Sequence, residues 1–202
     1  MELETLFTAS KWEILTYLSK SKFSPLELSK KINTSIANVS QQLRLLEFAG
    51  LVKKEKVSQR EAGKPRTLYF LAKDFSHLIL VMANCAEKRL VPLTEHHKIL
   101  LRIWMIEDVQ LHYFLEKFYW KIENIVDQSK LIVVDTKSPE LTVYIVSDSR
   151  DIKIQDTQIR NLRGETKNIV LKVLSEKELA AKLPKEKLSE MNIIYDPRGI
   201  LR

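Results

Sequence analysis

The chain has 202 residues, of which 45% are hydrophobic and 29% are charged, a composition typical of a folded protein with an apolar core. It contains no apolar run near the roughly 20 residues that span a bilayer, and a single cysteine, Cys85, excludes a disulfide framework or a multi-cysteine metal site. The acidic, polar N-terminus does not resemble a signal peptide, so we expect a cytoplasmic protein.

The excess positive charge is concentrated in the first third of the chain. The net charge is +7, and residues 1–73 hold 13 Lys and Arg against 7 Asp and Glu. Residues 74–127 hold 6 against 8, and residues 128–202 hold 14 against 11. This distribution favours a polyanionic partner for the N-terminal segment.

Two short helices are predicted first. Residues 10–20 predict a helix opened by a capping box of Ser10 and Glu13. Ser24 predicts the N-cap of a second helix, with Pro25 at the first helical position and a glutamate three residues past the cap. The apolar positions predicted to face inward are Ile14, Leu15, Leu18, Leu26, Leu28 and Ile32.

Residues 33–50 predict a third helix after a turn of three or four residues. Asn33, Thr34 or Ser35 would cap its start, and Gly50 would end it in the left-handed conformation. Its apolar residues recur at steps of three and four and therefore share one face: Ile36, Val39, Leu43 and Leu46. Two short helices joined by such a turn predict a helix-turn-helix.

After Gly50 the apolar residues recur with a period near two instead of 3.6. Residues 51–58 and 67–72 predict two strands, and Gly63 and Pro65 mark the turn between them. The order of three helices followed by a hairpin with a basic tip predicts a winged helix-turn-helix.

The residues themselves carry a family resemblance. The run VSQQLRLLEFAGLVKK, followed by GKPRTLYFLA, resembles the core of ArsR-type winged-helix transcription regulators over about residues 5–72. The resemblance implies that the third helix enters the major groove and that the wing reaches the flanking backbone or minor groove. It also places Ser40, Gln41 and Gln42 where family members often hold Ser and a polar or His residue against DNA. Metal-sensing members carry a cysteine pair near this helix, which the chain lacks, so metal sensing of that type is not expected.

The start of a reading helix is the part that meets base edges, and Asn and Gln offer both a donor and an acceptor. A hydroxyl and a backbone N–H at Thr34 suit a phosphate. The alternative is that all these side chains are solvated surface groups. The predicted DNA-binding residues are Thr34, Ser35, Asn38, Ser40, Gln41, Gln42 and Arg44 of the third helix, and Arg60, Lys64 and Arg66 of the wing.

Residues 74–128 are predicted to be helical. One helix would run from residue 74 to near Pro92, and Thr94 would cap a longer one that breaks near residues 107–108. The density of large apolar side chains predicts that part of this region packs on a second subunit, giving a homodimer. The alternative is packing within the chain, against the C-terminal domain. The side chains concerned are Ile99, Ile103, Trp104, Ile106, Leu111, Phe114, Phe118, Tyr119, Trp120, Ile122 and Ile125.

Histidine and cysteine spacing predicts no metal site and no cofactor. His96 and His97 are adjacent and point to different helix faces, whereas His77 and Cys85 are eight residues apart on a predicted helix. Structural or surface roles are expected for the histidines, and Cys85 is expected to be a small core residue.

Residues 129–202 predict a small α/β domain. Strands are expected in KLIVVD, ELTVYIV, NIVLKVL and NIIYDPRGIL, and Ser175 with Glu178 predicts a capped helix. The final segment is similar to the end of small nucleotidyltransferase domains. It lacks their Gly-Ser phosphate loop and Asp-x-Asp metal pair, so the resemblance implies an inactive relative. Its acidic residues are alternatively solvated loop charges: Asp135, Asp148, Asp151 and Asp156.

The sequence thus predicts an α+β chain of three parts. Residues 1–73 form a winged helix-turn-helix, residues 74–128 a helical linker and dimerisation region, and residues 129–202 the small α/β domain. The predicted function is that of a homodimeric, sequence-specific transcription regulator that binds double-stranded DNA, does not associate with membranes and is not an enzyme. The alternatives are an inactive nucleotidyltransferase-like module carried by a winged helix, or a winged helix that binds protein or RNA. The sequence names no small-molecule effector.

Overall fold

The computed structural model describes residues 6–57, 66–149, 152 and 156–201. The architecture is α+β, and the chain divides into two compact units, Met1–Leu93 and Thr94–Arg202. Each unit has its own buried apolar core. None of the helices described in either unit combines the length and apolar character needed to cross a bilayer.

The N-terminal unit begins with three helices, α1 (Ala9–Leu18), α2 (Pro25–Lys31) and α3 (Ile36–Phe48). The predicted capping box of α2 is confirmed: the Ser24 backbone N–H donates to the Glu27 carboxylate at 2.8 Å, and the Ser24 hydroxyl accepts from the Glu27 N–H.

The predicted capping box of α1 is wrong. The extended N-cap residue is Thr8, whose side chain makes no capping hydrogen bond. Ser10 already lies inside the helix, so its hydroxyl does not face the unpaired N–H groups of the first turn.

Val39, Leu43 and Leu46 bury completely and join α3 to α1 and α2, as predicted. Ile36 and Leu26, also predicted to face inward, are instead 48% and 47% exposed. Both lie in the first turn of their helices, where side chains tilt toward the N-terminus and therefore overhang the core.

The wing is an antiparallel hairpin of β1 (Val52–Val57) and β2 (Arg66–Leu71), as predicted. Gly50 ends α3 with φ +71°, a left-handed conformation in which glycine is favoured. Phe23 and Tyr69 exchange backbone hydrogen bonds of 2.8 and 3.1 Å, which tie β2 to the α1–α2 connection.

A second hairpin follows, formed by β3 (Phe75–Met82) and β4 (Cys85–Pro92). The helix predicted from residue 74 to near Pro92 is therefore wrong. The run of apolar residues has no helical or strand period, so periodicity alone could not assign it. The hairpin reverses at residues 83–84, where Asn84 adopts φ +65°, which asparagine tolerates better than most residues.

The C-terminal unit opens with α4 (Glu95–Trp104) and α5 (Gln110–Val126), separated at residues 105–109 as predicted. Thr94 caps α4 in a capping box with His97. The other helices are α6 (Glu176–Lys182), with the predicted box of Ser175 and Glu178, and α7 (Lys185–Ser189), which was not predicted.

A mixed sheet of order β7-β8-β6-β5-β9 forms the centre of this unit. Among the described pairs, β6 and β8 run parallel and the others antiparallel. The short polar strand β7 was not predicted. The strands are β5 (Leu131–Asp135), β6 (Leu141–Val146), β7 (Thr157–Arg160), β8 (Thr166–Leu174) and β9 (Asn192–Tyr195).

The large side chains of α4 and α5 belong to the core of their own unit. Seven of those predicted to contact a second subunit are at most 4% exposed and pack in one cluster with the sheet: Ile99, Ile103, Ile106, Leu111, Phe114, Phe118 and Ile122. For these residues the alternative, packing within the chain, is what the structure shows. Leu179, Leu183 and Leu188 form a further cluster with residues of β5 and β6.

Candidate nucleic-acid interface

The turn between α2 and α3 is held by local hydrogen bonds. The Thr34 N–H donates to the Ser29 carbonyl at 3.0 Å, and Asn33 takes a positive φ of 50° that lets the chain reverse. Of the three predicted caps, Ser35 is the one used: its hydroxyl accepts from the Asn38 N–H at 3.1 Å. The helix-turn-helix predicted from the sequence is confirmed, and the start of α3 is fixed.

Three of the predicted site residues form a polar ladder along α3. The Asn38 amide donates to the Thr34 hydroxyl at 3.1 Å, and the Gln42 amide donates to the Asn38 carbonyl oxygen at 3.2 Å. All three side chains are half-buried, and within the described residues the buried Gln42 Oε1 has no partner. The i, i+4 spacing brings these groups together on one side of the helix.

A second, fully exposed stripe lies beside the polar ladder. We call it the outward stripe; it consists of Ala37, Gln41, Arg44 and Phe48, spaced by four, three and four residues. No hydrogen bond is found for the Gln41 side chain within the described ranges, so both its donor and its acceptor point to solvent. Ser40 is half-buried and Ser35 is exposed.

Phe48, which is 84% exposed, was not among the predicted site residues. Its signal in the sequence is its spacing of seven residues from Gln41, which places both on the same helix face.

The wing contributes Arg66, the first residue of β2. Its Nη2 lies 2.6 Å from Glu27 Oε1 and donates to the Ser24 hydroxyl at 3.3 Å. Hydrogen bonds from Ser24, first backbone and then side chain, lower the pKa of Glu27, and the positive charge of Arg66 adds to the effect. The tip end of β2 is thus joined to the cap of α2. The predicted contacts Arg60 and Lys64 lie outside the described residues.

Residues 9–54 match the family model described as bacterial regulatory protein, arsR family. Helices α1–α3 and the β1–β2 hairpin form an ArsR-type winged helix-turn-helix. The matched segment runs from the start of α1 into β1 and includes the whole of α3. Members of this family are DNA-binding transcription regulators, so the chain carries the DNA-binding domain of such a regulator. No curated protein matches the chain.

Two further lysines of the N-terminal unit are held in ion pairs. Lys54 pairs with Glu47 of α3 at 3.0 Å, and Lys22 pairs with Glu55 at 2.8 Å. The hydrogen bond and charge of Glu47 raise the pKa of Lys54. Both lysines are therefore partly neutralised, and their pairs join β1 to α3 and to the connection between α1 and α2.

The acidic residues of the C-terminal unit act within its fold. The buried Asp135 accepts from the Lys137 and Ser138 N–H groups and from the Ser138 hydroxyl. Burial acts to raise the pKa of Asp135, but hydrogen bonds from Ser138 and Lys137 outweigh it and leave the pKa lowered. Asp148 pairs with Lys130, and Asp156 accepts from the Leu171 N–H. Asp151 lies outside the described residues.

The described histidines and the cysteine have separate structural surroundings. His96 bonds the Tyr119 hydroxyl at 2.9 Å, and His112 bonds the Ile106 carbonyl at 2.8 Å. His77 stacks on the Phe7 ring. Cys85 is half-buried at the start of β4, so its predicted place in a core is wrong. Among the described residues, no three His, Cys, Asp or Glu side chains form a group that could hold a metal ion.

Proposed function

We propose that the protein is a sequence-specific transcription regulator that binds double-stranded DNA as a homodimer. The observation that carries the proposal is the outward stripe of α3, which presents Gln41 and Arg44 to solvent beside a helix start fixed by Ser35. A helix of this kind enters the major groove with its N-terminal residues toward the bases.

Within this proposal, the exposed amide of Gln41 reads a base edge, for which its donor and acceptor are suited. Asn38 and Gln42 of the polar ladder also contact bases. Each base contact replaces an internal hydrogen bond, which limits the net gain in binding free energy. Thr34, Ser35, Ser40 and Arg44 contact phosphates or neighbouring bases. In the wing, the side chains that meet phosphates are Arg60, Lys64 and Arg66.

The homodimer follows from how such domains read DNA. Two copies related by a two-fold axis reach half-sites about 34–36 Å apart on one face of the duplex. Doubling the contacts also raises specificity over what one short helix achieves.

The experiment is selection of bound duplexes from a random pool by the full chain, followed by a gel shift on the enriched site and on its scrambled version. We expect one enriched motif with two-fold symmetry. As a matched pair, Gln41→Ala should lose preference for that motif, whereas Gln110→Ala, an exposed helical glutamine of the other unit, should keep it. A pool without enrichment would contradict sequence-specific binding.

The alternatives gain no support from a specific observation. The described aspartates of the C-terminal unit are engaged in hydrogen bonds or ion pairs, which disfavours a nucleotidyltransferase-like site. Calorimetric titration of a nucleoside triphosphate, with and without Mg²⁺, tests this reading: we expect no Mg²⁺-dependent heat of binding. A winged helix that binds RNA would instead prefer an RNA duplex in the same gel shift.

A further inference from the structure

A groove in the C-terminal unit is lined by lysines. It lies where α6 and α7 meet β6 and β8, and its volume is about 500 Å³. This volume falls within the range of small-molecule sites, roughly 300–1,000 Å³. We call it the lysine groove; its lining residues are Tyr144 of β6, residues 171–174 of β8, Lys182 of α6 and Lys187 of α7. None of these described lining residues is acidic.

Three elements each direct one lysine to this groove. Lys172 of β8 lies opposite Tyr144 in the parallel register with β6, so both side chains point to the same face of the sheet. The Lys172 ammonium is 5.5 Å from the centre of the Tyr144 ring. Lys182 and Lys187 each precede a buried leucine that packs in one cluster with Tyr144. The buried neighbours therefore fix the backbone positions from which the lysines extend.

The positive charge of the lysine groove is only partly compensated. Lys182 pairs with Glu178 at 3.1 Å. Within the described residues no ion pair is found for Lys172 or Lys187. The charge of Lys187 acts on Asp135 without an ion pair, and the oxygens of that buried carboxylate already accept hydrogen bonds from its own turn. Ammonium groups that share a groove repel one another, and a bound anion would remove this repulsion.

The Tyr144 hydroxyl is a second, independent sign of a ligand. The side chain is 7% exposed and lines the groove, yet within the described residues its hydroxyl has no hydrogen-bond partner. A buried tyrosine hydroxyl usually has one, because an unpaired polar group costs free energy. The oxygen is not fully enclosed, so a molecule in the groove can reach it.

The donors of the groove select the chemistry of the ligand. A lysine ammonium offers only donors, and the tyrosine hydroxyl donates to an anion in a charge-assisted hydrogen bond. A phosphate monoester carries a charge of about −1.5 to −2 near neutral pH and has three strong acceptor oxygens. It therefore matches three cations and a hydroxyl better than a carboxylate does, which has one charge and two oxygens. A small molecule also reaches the recessed hydroxyl more readily than a DNA duplex does.

We propose that the C-terminal unit binds a small phosphate-bearing molecule in the lysine groove. The ammonium groups of Lys172, Lys182 and Lys187 surround the phosphate, and the Tyr144 hydroxyl donates a hydrogen bond to one of its oxygens. The site goes beyond the proposed function, which assigns no ligand to this unit.

The test is isothermal titration calorimetry of the full chain in a chloride buffer free of phosphate and sulfate. Ribose 5-phosphate is the ester probe, inorganic phosphate the free-ion probe, and ribose the uncharged control. We expect saturable binding at one site for at least one of the two phosphates and none for ribose. Tighter binding of the ester would identify a phosphorylated molecule as the ligand, whereas equal or tighter binding of inorganic phosphate would identify the free ion. The bound probe should also raise Tm, because it binds only the folded chain.

Four variants locate the binding site. Lys172→Gln and Lys187→Gln should each weaken binding of the phosphate probe about tenfold or more, as expected for the loss of a hydrogen bond between charged groups. Tyr144→Phe keeps the ring in its cluster and should weaken binding several-fold. The matched control Lys167→Gln replaces an exposed lysine of β8 outside the groove and should bind like wild type. Without phosphate, the lysine-groove variants should melt no lower than wild type, because removing a lysine relieves repulsion.

Several results would overturn the proposal. One is the absence of saturable binding by either phosphate probe at millimolar concentration. Another is an equal loss of affinity in Lys172→Gln and Lys167→Gln, which would indicate a diffuse charge effect. If Lys172→Gln instead flattened the salt dependence of duplex affinity and no phosphate bound, the groove would be a DNA contact. Tyr144→Phe binding like wild type would contradict the role of the hydroxyl.

Phosphate binding and duplex selection are independent results, because the proposed DNA interface consists of α3 and the wing in the N-terminal unit. A chain that selects a motif but binds no phosphate contradicts the lysine groove alone. A chain that binds phosphate but selects no duplex from a random pool contradicts the DNA-binding proposal alone.

Discussion

At the scale of single residues, Gln41 is the clearest base-reading candidate because it is exposed and makes no hydrogen bond within the described residues. Replacing it with alanine should cost about 1–3 kcal/mol of specific binding. Non-specific affinity and stability should not change, since the side chain supports no internal contact. The measurement is a pair of binding isotherms, on the selected site and on its scrambled version. An unchanged ratio of the two affinities would remove Gln41 from the reading set.

Arg66 is expected to act differently, because a guanidinium that meets a phosphate carries no sequence information. Arg66→Ala should weaken binding to all duplexes and reduce the slope of log affinity against log salt by about one. The Glu27 carboxylate, 2.6 Å away, opposes this role by neutralising part of the charge.

The Glu27→Gln variant provides the complement to Arg66→Ala. Glutamine still suits the third position of a capping box, so α2 should persist. Removal of the carboxylate frees the Arg66 charge, and affinity for all duplexes should rise. A fall in affinity would show that the ion pair holds Arg66 in place for the phosphate.

At the scale of elements, the cap of α2 should contribute measurably to the stability of the folded protein. Ser24→Ala removes the acceptor for the Glu27 N–H and one partner of Arg66, and should cost about 0.5–2 kcal/mol of the free energy of unfolding. Ser10→Ala is the matched control, since Ser10 lies inside α1 and caps nothing. Urea denaturation of both variants tests this, and equal losses would contradict the assignment of the caps.

The elements that the sequence predicted well are those with local chemical signals. The predicted boxes at Ser24 and Ser175, the predicted cap at Thr94 and the glycine at position 50 each specify a helix end within a few residues. The hairpin of β3 and β4 was missed because its apolar run has no period and its turn has no glycine. In that case strand pairing over the whole hairpin, from Phe75 with Pro92 to Met82 with Cys85, decided the structure.

The candidate site was likewise predicted where local spacing is enough and missed where contacts between side chains decide. Helical spacing alone predicts Gln41 on the side away from the core and Arg44 at its margin, and both side chains are exposed. The ion pair of Arg66 with Glu27 could not be predicted, because it depends on how the wing folds back on α2. The polar ladder was also missed, since spacing places Thr34, Asn38 and Gln42 on one side without showing that they bond to each other.

At the scale of the whole molecule, acid sensitivity should arise in both units from carboxylates that the folded state stabilises as ions. Hydrogen bonds lower the pKa of Glu27 and, to about 2, that of Glu178, in each case led by the backbone N–H of the capping serine. The pKa of Asp135 is lowered as well. A folded pKa below the unfolded value contributes stability above the unfolded pKa, which is lost as pH falls toward the folded one. The free energy of unfolding should therefore be level near neutral pH and decline below the ordinary carboxylate values of 4.5 and 3.8.

Asp135→Asn isolates the contribution of one carboxylate to the pH dependence of the free energy of unfolding. The buried amide keeps an acceptor for the Ser138 and Lys137 N–H groups but loses the charge that strengthens those hydrogen bonds, so at neutral pH we expect a loss of about 1–3 kcal/mol. Below pH 3.8 the carboxyl takes up a proton first in the unfolded chain, because the pKa of Asp135 is lowered in the folded protein. The difference between the two proteins should therefore shrink as pH falls. Urea denaturation from neutral pH to pH near 3 measures both curves. A difference that stays constant over this range would mean that the shape of Asp135, rather than its charge, stabilises the turn at residues 135–138.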